Sequence, residues 1–97
     1  MIVVVSSFEA VTEAGAKLGK SIEELVGKNY PEVRLEHWTS MSGKLGTHML
    51  LWWHKSLAAK EAFDAKLFAD PRWEKIWQNA GAGPFYTGQR DDYYNVG

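Results

Sequence analysis

Two alternating runs, EVRLEHWTS and LGTHMLLWWH, stand on either side of a short turn-forming stretch, and they constrain this chain more than any other feature. Alternation of apolar and polar residues is the period of a β-strand, and two such runs joined through Met41-Ser42-Gly43-Lys44 read as a hairpin. With the turn centred on Ser42-Gly43, Trp38 lies opposite Thr47, His37 opposite His48 and Leu35 opposite Leu50. The side chains then divide between two faces. One carries Val33, Leu35, His37, Thr39, His48, Leu50, Trp52 and His54. The other carries Arg34, Glu36, Trp38, Thr47, Met49, Leu51 and Trp53. The adjacent tryptophans Trp52 and Trp53 therefore point in opposite directions.

The rest of the chain supplies what such a hairpin packs with. Ile2 to Phe8 is short and β-branched, as a buried strand is. From Ala10 to Lys28 the apolar residues Val11, Ala14, Leu18, Ile22, Leu25 and Val26 recur at helical spacing, and Gly27 offers a stop signal. Gly15 and Gly19 weaken that helix by roughly 1 kcal/mol each but leave a flat strip where a backbone can approach closely. Ser56 caps a helix over LAAKEAFDAKLFA, with Leu57, Ala59, Phe63 and Leu67 as its inward stripe. Asp70 and Pro71 are the preferred N-cap and first residue of a second, short helix, on which Trp73, Ile76 and Trp77 share a face. Gly81 to Pro84 breaks it, and FYTGQRDDYYNV supplies a last strand, bent or bulged at Gly88. Strand, helix, strand, strand, helix, strand is the ferredoxin-like split βαβ order. It is an α+β fold with one antiparallel four-stranded sheet and both main helices on one face, a single domain over residues 1–97.

Composition excludes several classes of function. A net charge of −1 offers no clustered basic footprint for nucleic acid. With no cysteine, disulfides and thiolate chemistry are out, and a reducing, cytoplasmic location is expected. The apolar run at the start is too short to span a bilayer, so no membrane is expected. No glycine-rich loop opens a helix to hold phosphate, and Ser6 and Ser7 lack the context of a nucleophilic serine. Five tryptophans are unusual for 97 residues. That much flat apolar area calls for a deep core, a partner subunit or a ligand to cover it.

All three histidines fall on one face of the hairpin. Imidazoles pack against helices less well than Met49, Leu51 and Trp53 do, so the histidine face is assigned to the open side of the sheet. A second copy is the simplest cover, giving two sheets face to face with a cavity between them. The residues expected to line that cavity are His37, His48, Leu50, Trp52 and His54. The bland readings are a hydrogen-bonded His37–His48 pair, His54 at a strand end near solvent, and Trp52 in the core or a dimer interface. No carboxylate shares the histidine face and no metal spacing is present, so neither metal nor cofactor is expected. No catalytic residue is assigned.

The run HMLLWWHKSLAAKEAFDAKLFADPRWEKIW resembles the NIPSNAP family. A strand ends in Trp52, Ser56-Leu57 opens a helix, and Asp70-Pro71 with Trp73 opens the next. The chain departs from the family at His54, where an aromatic is usual, and at Leu50, where the family carries a histidine. The resemblance implies a dimeric α+β barrel, a homodimer whose paired sheets enclose a pocket, and says little about reaction, because the family's molecular role is unsettled and fold kinship does not transfer function. An aromatic, weakly polar cavity with no assembled catalytic constellation points to binding of a small apolar or aromatic molecule. The alternative is a cofactor-independent monooxygenase acting on an electron-rich aromatic, with Trp52 and a histidine positioning the substrate.

Overall fold

The structure, a computed structural model, describes residues 1–9, 12–41, 47–79 and 87–96, leaving aside the side chains of residues 12–14 and 87–89. Its elements follow in the order β1 (Ile2–Glu9), α1 (Thr12–Asn29), β2 (Arg34–Thr39), β3 (Thr47–His54), α2 (Leu57–Phe68), α3 (Pro71–Asn79) and β4 (Thr87–Asn95). The strands join in the order β2-β3-β1-β4, each antiparallel to its neighbours. This is the ferredoxin-like split βαβ arrangement.

Local chemistry sets the boundaries. α1 runs straight through Gly27, the expected stop, and ends at Asn29, because Pro31 biases Tyr30 away from helix. The Asn29 side-chain amide donates to the Leu25 carbonyl at 2.9 Å, closing the last turn. Ser56 sits extended ahead of α2, and its hydroxyl accepts from the Ala59 N–H at 3.1 Å. Asp70 starts α3: its carboxylate accepts from the Arg72 backbone N–H at 2.9 Å and its carbonyl from Trp73 at 3.1 Å. Between Ser7–Arg90 and Glu9–Thr87, two steps along β1 meet three along β4, which puts the expected bulge at Gly88 or Gln89.

The helices cover one face of the sheet. Val4, Phe8, Leu50 and Trp52 from the strands meet Leu18, Ile22, Leu25 and Val26 of α1 and Phe63 and Leu67 of α2 in one buried cluster. Burying each such side chain stabilises the fold by roughly 1.5–3 kcal/mol. Trp73, Ile76 and Trp77 of α3 pack on its rim, half-buried.

Two expectations about the hairpin are corrected. The register is offset by two residues: Trp38 pairs with Met49, His37 with Leu50, Leu35 with Trp52 and Thr39 with His48. An even offset leaves the membership of each face unchanged. The larger correction concerns which face is which. His48 is fully buried, Leu50 and Trp52 belong to the core, and His54 is buried too, so the histidine face lies beneath this chain's own helices. Met49, Leu51 and Trp53 look outward instead. The assignment failed because α1 accommodates imidazoles at Gly15 and Gly19. Ser42 to Gly46, where the turn was placed, and Gly81 to Pro84 lie outside the described residues.

Candidate functional site

The five residues expected to line a cavity separate into two groups under the helices. His37 and His48 form one. His37 Nε2 and His48 Nδ1 are 3.0 Å apart, and the Thr39 hydroxyl is 3.3 Å from the same His48 nitrogen. The imidazoles stack at 5.3 Å, and His48 stacks in turn on Phe8 at 5.2 Å. The other His37 nitrogen, Nδ1, lies 3.7 Å from a Glu23 carboxylate oxygen. Gly15 and Gly19 admit this pair. A methyl group on Gly15 would lie 2.1 Å from His48 Nε2, and one on Gly19 would lie 2.2 Å from the His37 ring. The strip that was expected to receive a backbone receives two imidazoles.

Among the described residues, His48 Nε2 is buried without a hydrogen-bond partner. A proton there would face helix backbone with nothing to accept it, so the neutral ring carries its proton on Nδ1, shared with His37 or Thr39. Burial holds both rings below the ordinary histidine value. The neighbouring His37 lowers His48 further, while Glu23 partly offsets the shift of His37. Neither ring is among the residues that line the cavity described next.

Leu50, Trp52 and His54 form the second group and do line a cavity. It lies inside the chain, between the sheet and the α2–α3 pair, with a volume of about 450 Å³. Val4, Ser6, Phe8, Leu50, Trp52 and His54 provide its floor. Phe63, Leu67 and Phe68 of α2 and Trp73 and Trp77 of α3 enclose it from above. Phe63 links the aromatic wall: its ring lies 5.8 Å from Trp52, 5.4 Å from His54 and 5.3 Å from Tyr30. Trp73 meets Trp52 edge-on at 6.4 Å and Trp77 at 5.7 Å. Tilted and edge-on contacts of this kind are favourable between rings.

One end of the cavity is polar. Lys60 and Asp64, one turn apart on α2, are ion-paired, and Lys60 also lies 5.3 Å over the Tyr93 ring of β4. Burial pulls Lys60 down, but its hydrogen bonds to Asp64 and Tyr93 outweigh that and leave it above its ordinary value. Asp91 of β4 completes this end and is exposed, as is Phe68, so the cavity opens toward them. The bland reading put His54 at a strand end near solvent; the structure buries it at the cavity's edge, 5% exposed. Burial holds its imidazole below the ordinary value, Asp64 opposing the shift and Lys60 adding to it. Among the described residues, no group hydrogen-bonds to its ring nitrogens.

Sequence reasoning missed Phe63, Trp73, Trp77, Lys60 and Asp64 as cavity residues. Trp73 and Trp77 were read only as sharing one face of the short helix. The i, i+4 spacing of Lys60 and Asp64 around the inward Phe63 was the available signal for a polar edge beside an aromatic wall. Among the described residues no three histidines or carboxylates gather as metal ligands.

The NIPSNAP family profile matches residues 6–94. An uncharacterised NIPSNAP domain protein from Burkholderia xenovorans superposes with a TM-score of 0.78 at 20% identity, covering 100% of this chain and 95% of that one. A protein of Agrobacterium tumefaciens superposes with a TM-score of 0.79 at 18% identity, covering 100% and 94%. A candidate antibiotic biosynthesis monooxygenase from Deinococcus radiodurans gives 0.69 at 14% identity over 100% and 93%. No curated protein matches. Among the described residues no helix is long and apolar enough to cross a membrane.

Proposed function

The chain belongs to the NIPSNAP family, and on that premise we propose that it is a homodimer that binds a small, largely apolar or aromatic molecule. The observation that carries the binding reading is the 450 Å³ cavity, walled by aromatic rings and edged by a few polar groups. Sites for small organic molecules have that size and that balance of apolar wall and sparse polar groups. The pocket belongs to one chain, between its sheet and α2–α3, rather than between paired sheets. His37 and His48 do not line it; Leu50, Trp52 and His54 do. Equilibrium dialysis or calorimetry against a panel of aromatic compounds tests this reading. Saturable binding that weakens when Trp52 or Trp73 is replaced by alanine supports it, and no binding across the panel overturns it.

The homodimer reading rests on the uncovered face of the sheet. Trp38 and Tyr94 are about half-exposed there, beside Val3, Met49 and Trp53. The ion pairs Arg34–Glu36 and Arg90–Asp92 flank this apolar centre. A second copy brought up by a twofold axis meets apolar with apolar and mixed charge with mixed charge. A cytoplasmic location accompanies this reading, on the strength of the cysteine-free composition.

A second reading is an enzyme that oxygenates an aromatic without a cofactor. The neutral His54 at the cavity edge favours it as a base that removes a proton from the substrate, as does the likeness to the Deinococcus protein. Oxygen uptake with candidate phenols decides it: consumption that disappears in His54→Ala supports the enzyme, and no uptake with any phenol that binds removes it.

A further inference from the structure

We propose that the cavity selects a flat aromatic molecule bearing an uncharged hydroxyl, with its rings against Trp52, Phe63 and Trp73 and the hydroxyl on His54. This rests on the binding reading above and adds the chemistry of the ligand's polar group. The carrying observation is His54. It is buried, borders the cavity, and among the described residues has no hydrogen-bond partner. Its nitrogens are not shut away as His48 Nε2 is, and an imidazole that can be reached from a largely apolar space is a place for a ligand's polar group.

The kind of polar group follows from its surroundings. A neutral imidazole presents one donor and one acceptor, and a hydroxyl can answer either of them. A carboxylate would need a free cation. Lys60 is paired with Asp64, and Asp91 adds a second carboxylate to this end of the cavity. An anionic head would therefore meet more negative charge than positive. A molecule with no polar group would leave His54 unanswered. The aromatic body follows from Trp52, Phe63 and Trp73, three aromatic residues that line the same cavity.

Three probes of one shape separate these possibilities at pH 7.5: naphthalene, 2-naphthol and 2-naphthoate, each titrated by equilibrium dialysis. The expected order is 2-naphthol tightest, by about five- to tenfold over naphthalene, the amount one hydrogen bond supplies, with 2-naphthoate weakest. His54→Phe keeps a ring beside Phe63 and removes both nitrogens, so the ratio of 2-naphthol to naphthalene affinity falls to about one, whatever the change shared by both probes. Asp64→Asn, which frees Lys60, raises the affinity for 2-naphthoate and gives a second readout should the His54 variant fail to fold. Equal affinity for naphthalene and 2-naphthol, or a preference for 2-naphthol that survives His54→Phe, overturns the hydroxyl proposal while leaving the binding reading intact. A preference for 2-naphthoate overturns it through the charge argument. Binding of none of the three removes the binding reading itself.

Discussion

Glycine at two helix positions decides where the histidines go. An added methyl at Gly15 or Gly19 would sit 2.1–2.2 Å from an imidazole atom, so something must shift to admit it. Gly15→Ala or Gly19→Ala is expected to destabilise the protein by roughly 1–3 kcal/mol through overpacking, although alanine is the better helix former by up to about 1 kcal/mol. At Gly27 nothing lies within 4 Å, so Gly27→Ala is expected to stabilise by about 0.5–1 kcal/mol. Urea denaturation of the three variants checks the opposite signs. The same packing predicts a pH dependence. His37, His48 and His54 are all held below the ordinary histidine value by burial. Below about pH 6.5 the unfolded chain takes up protons that the folded chain refuses. Stability is thus complete above that pH and falls progressively as the pH drops toward the folded values. A urea midpoint lower at pH 5.5 than at pH 7.5 is expected, and an unchanged midpoint would contradict the burial argument. The glycines and histidines were both legible in the sequence, but not their complementarity. Polarity alone sends imidazoles to an open face, and only the absence of two Cβ atoms on a neighbouring helix reverses that choice.

At the scale of elements, the hairpin shows what alternation can and cannot specify. EVRLEHWTS and LGTHMLLWWH determine which residues share a face, and those memberships hold in the structure. A slip of two residues preserves every membership, so the pairing of His37 with Leu50 rather than His48 was not readable from periodicity. Helix starts were readable because single side chains make them: Ser56 and Asp70 cap α2 and α3 as expected. Ser56→Ala removes the acceptor for the Ala59 N–H and is expected to cost about 1 kcal/mol. Since α2 carries Lys60, Phe63 and Asp64, fraying at its start should also show as faster amide exchange through its first turn. The tie between α1 and α3 was not readable, since its members are distant in sequence. The Tyr30 hydroxyl donates to Asp70 at 2.6 Å, and Arg72 binds both Asp70 and the Asn29 side chain. Hydrogen bonds from Arg72, then Tyr30, hold the Asp70 carboxyl well below the usual carboxylate range. Tyr30→Phe is expected to lower stability by about 1–2 kcal/mol at neutral pH. The loss should shrink in strong acid, where protonation of Asp70 already weakens the contact in the parent protein.

For the whole molecule, the corrected orientation of the sheet separates two matters that had been joined. The cavity now draws its walls from one chain, while the uncovered face carries Trp38, Met49, Leu51 and Trp53 and has no part in it. If that face pairs with a second copy, subunit association and ligand binding should come apart under mutation. Trp38 is 51% exposed in the single chain, so replacing it removes little from the fold. Trp38→Glu would place two carboxylates, one from each subunit, in an otherwise apolar contact, at a cost large enough to weaken association by well over tenfold. Sedimentation should therefore find the parent protein as a dimer at micromolar concentration and the variant as a monomer. A dimer's melting temperature rises with protein concentration because association draws on the folded state alone. The parent should show that rise and the variant should lose it. Aromatic probes should still bind the monomeric variant, since Trp52, Phe63 and Trp73 all line the cavity from within a single chain. A parent protein that sediments as a monomer would contradict the pairing of sheets. A variant that loses its partner and its ligand together would place the binding site back between subunits, against the enclosure formed by β1, β3, α2 and α3.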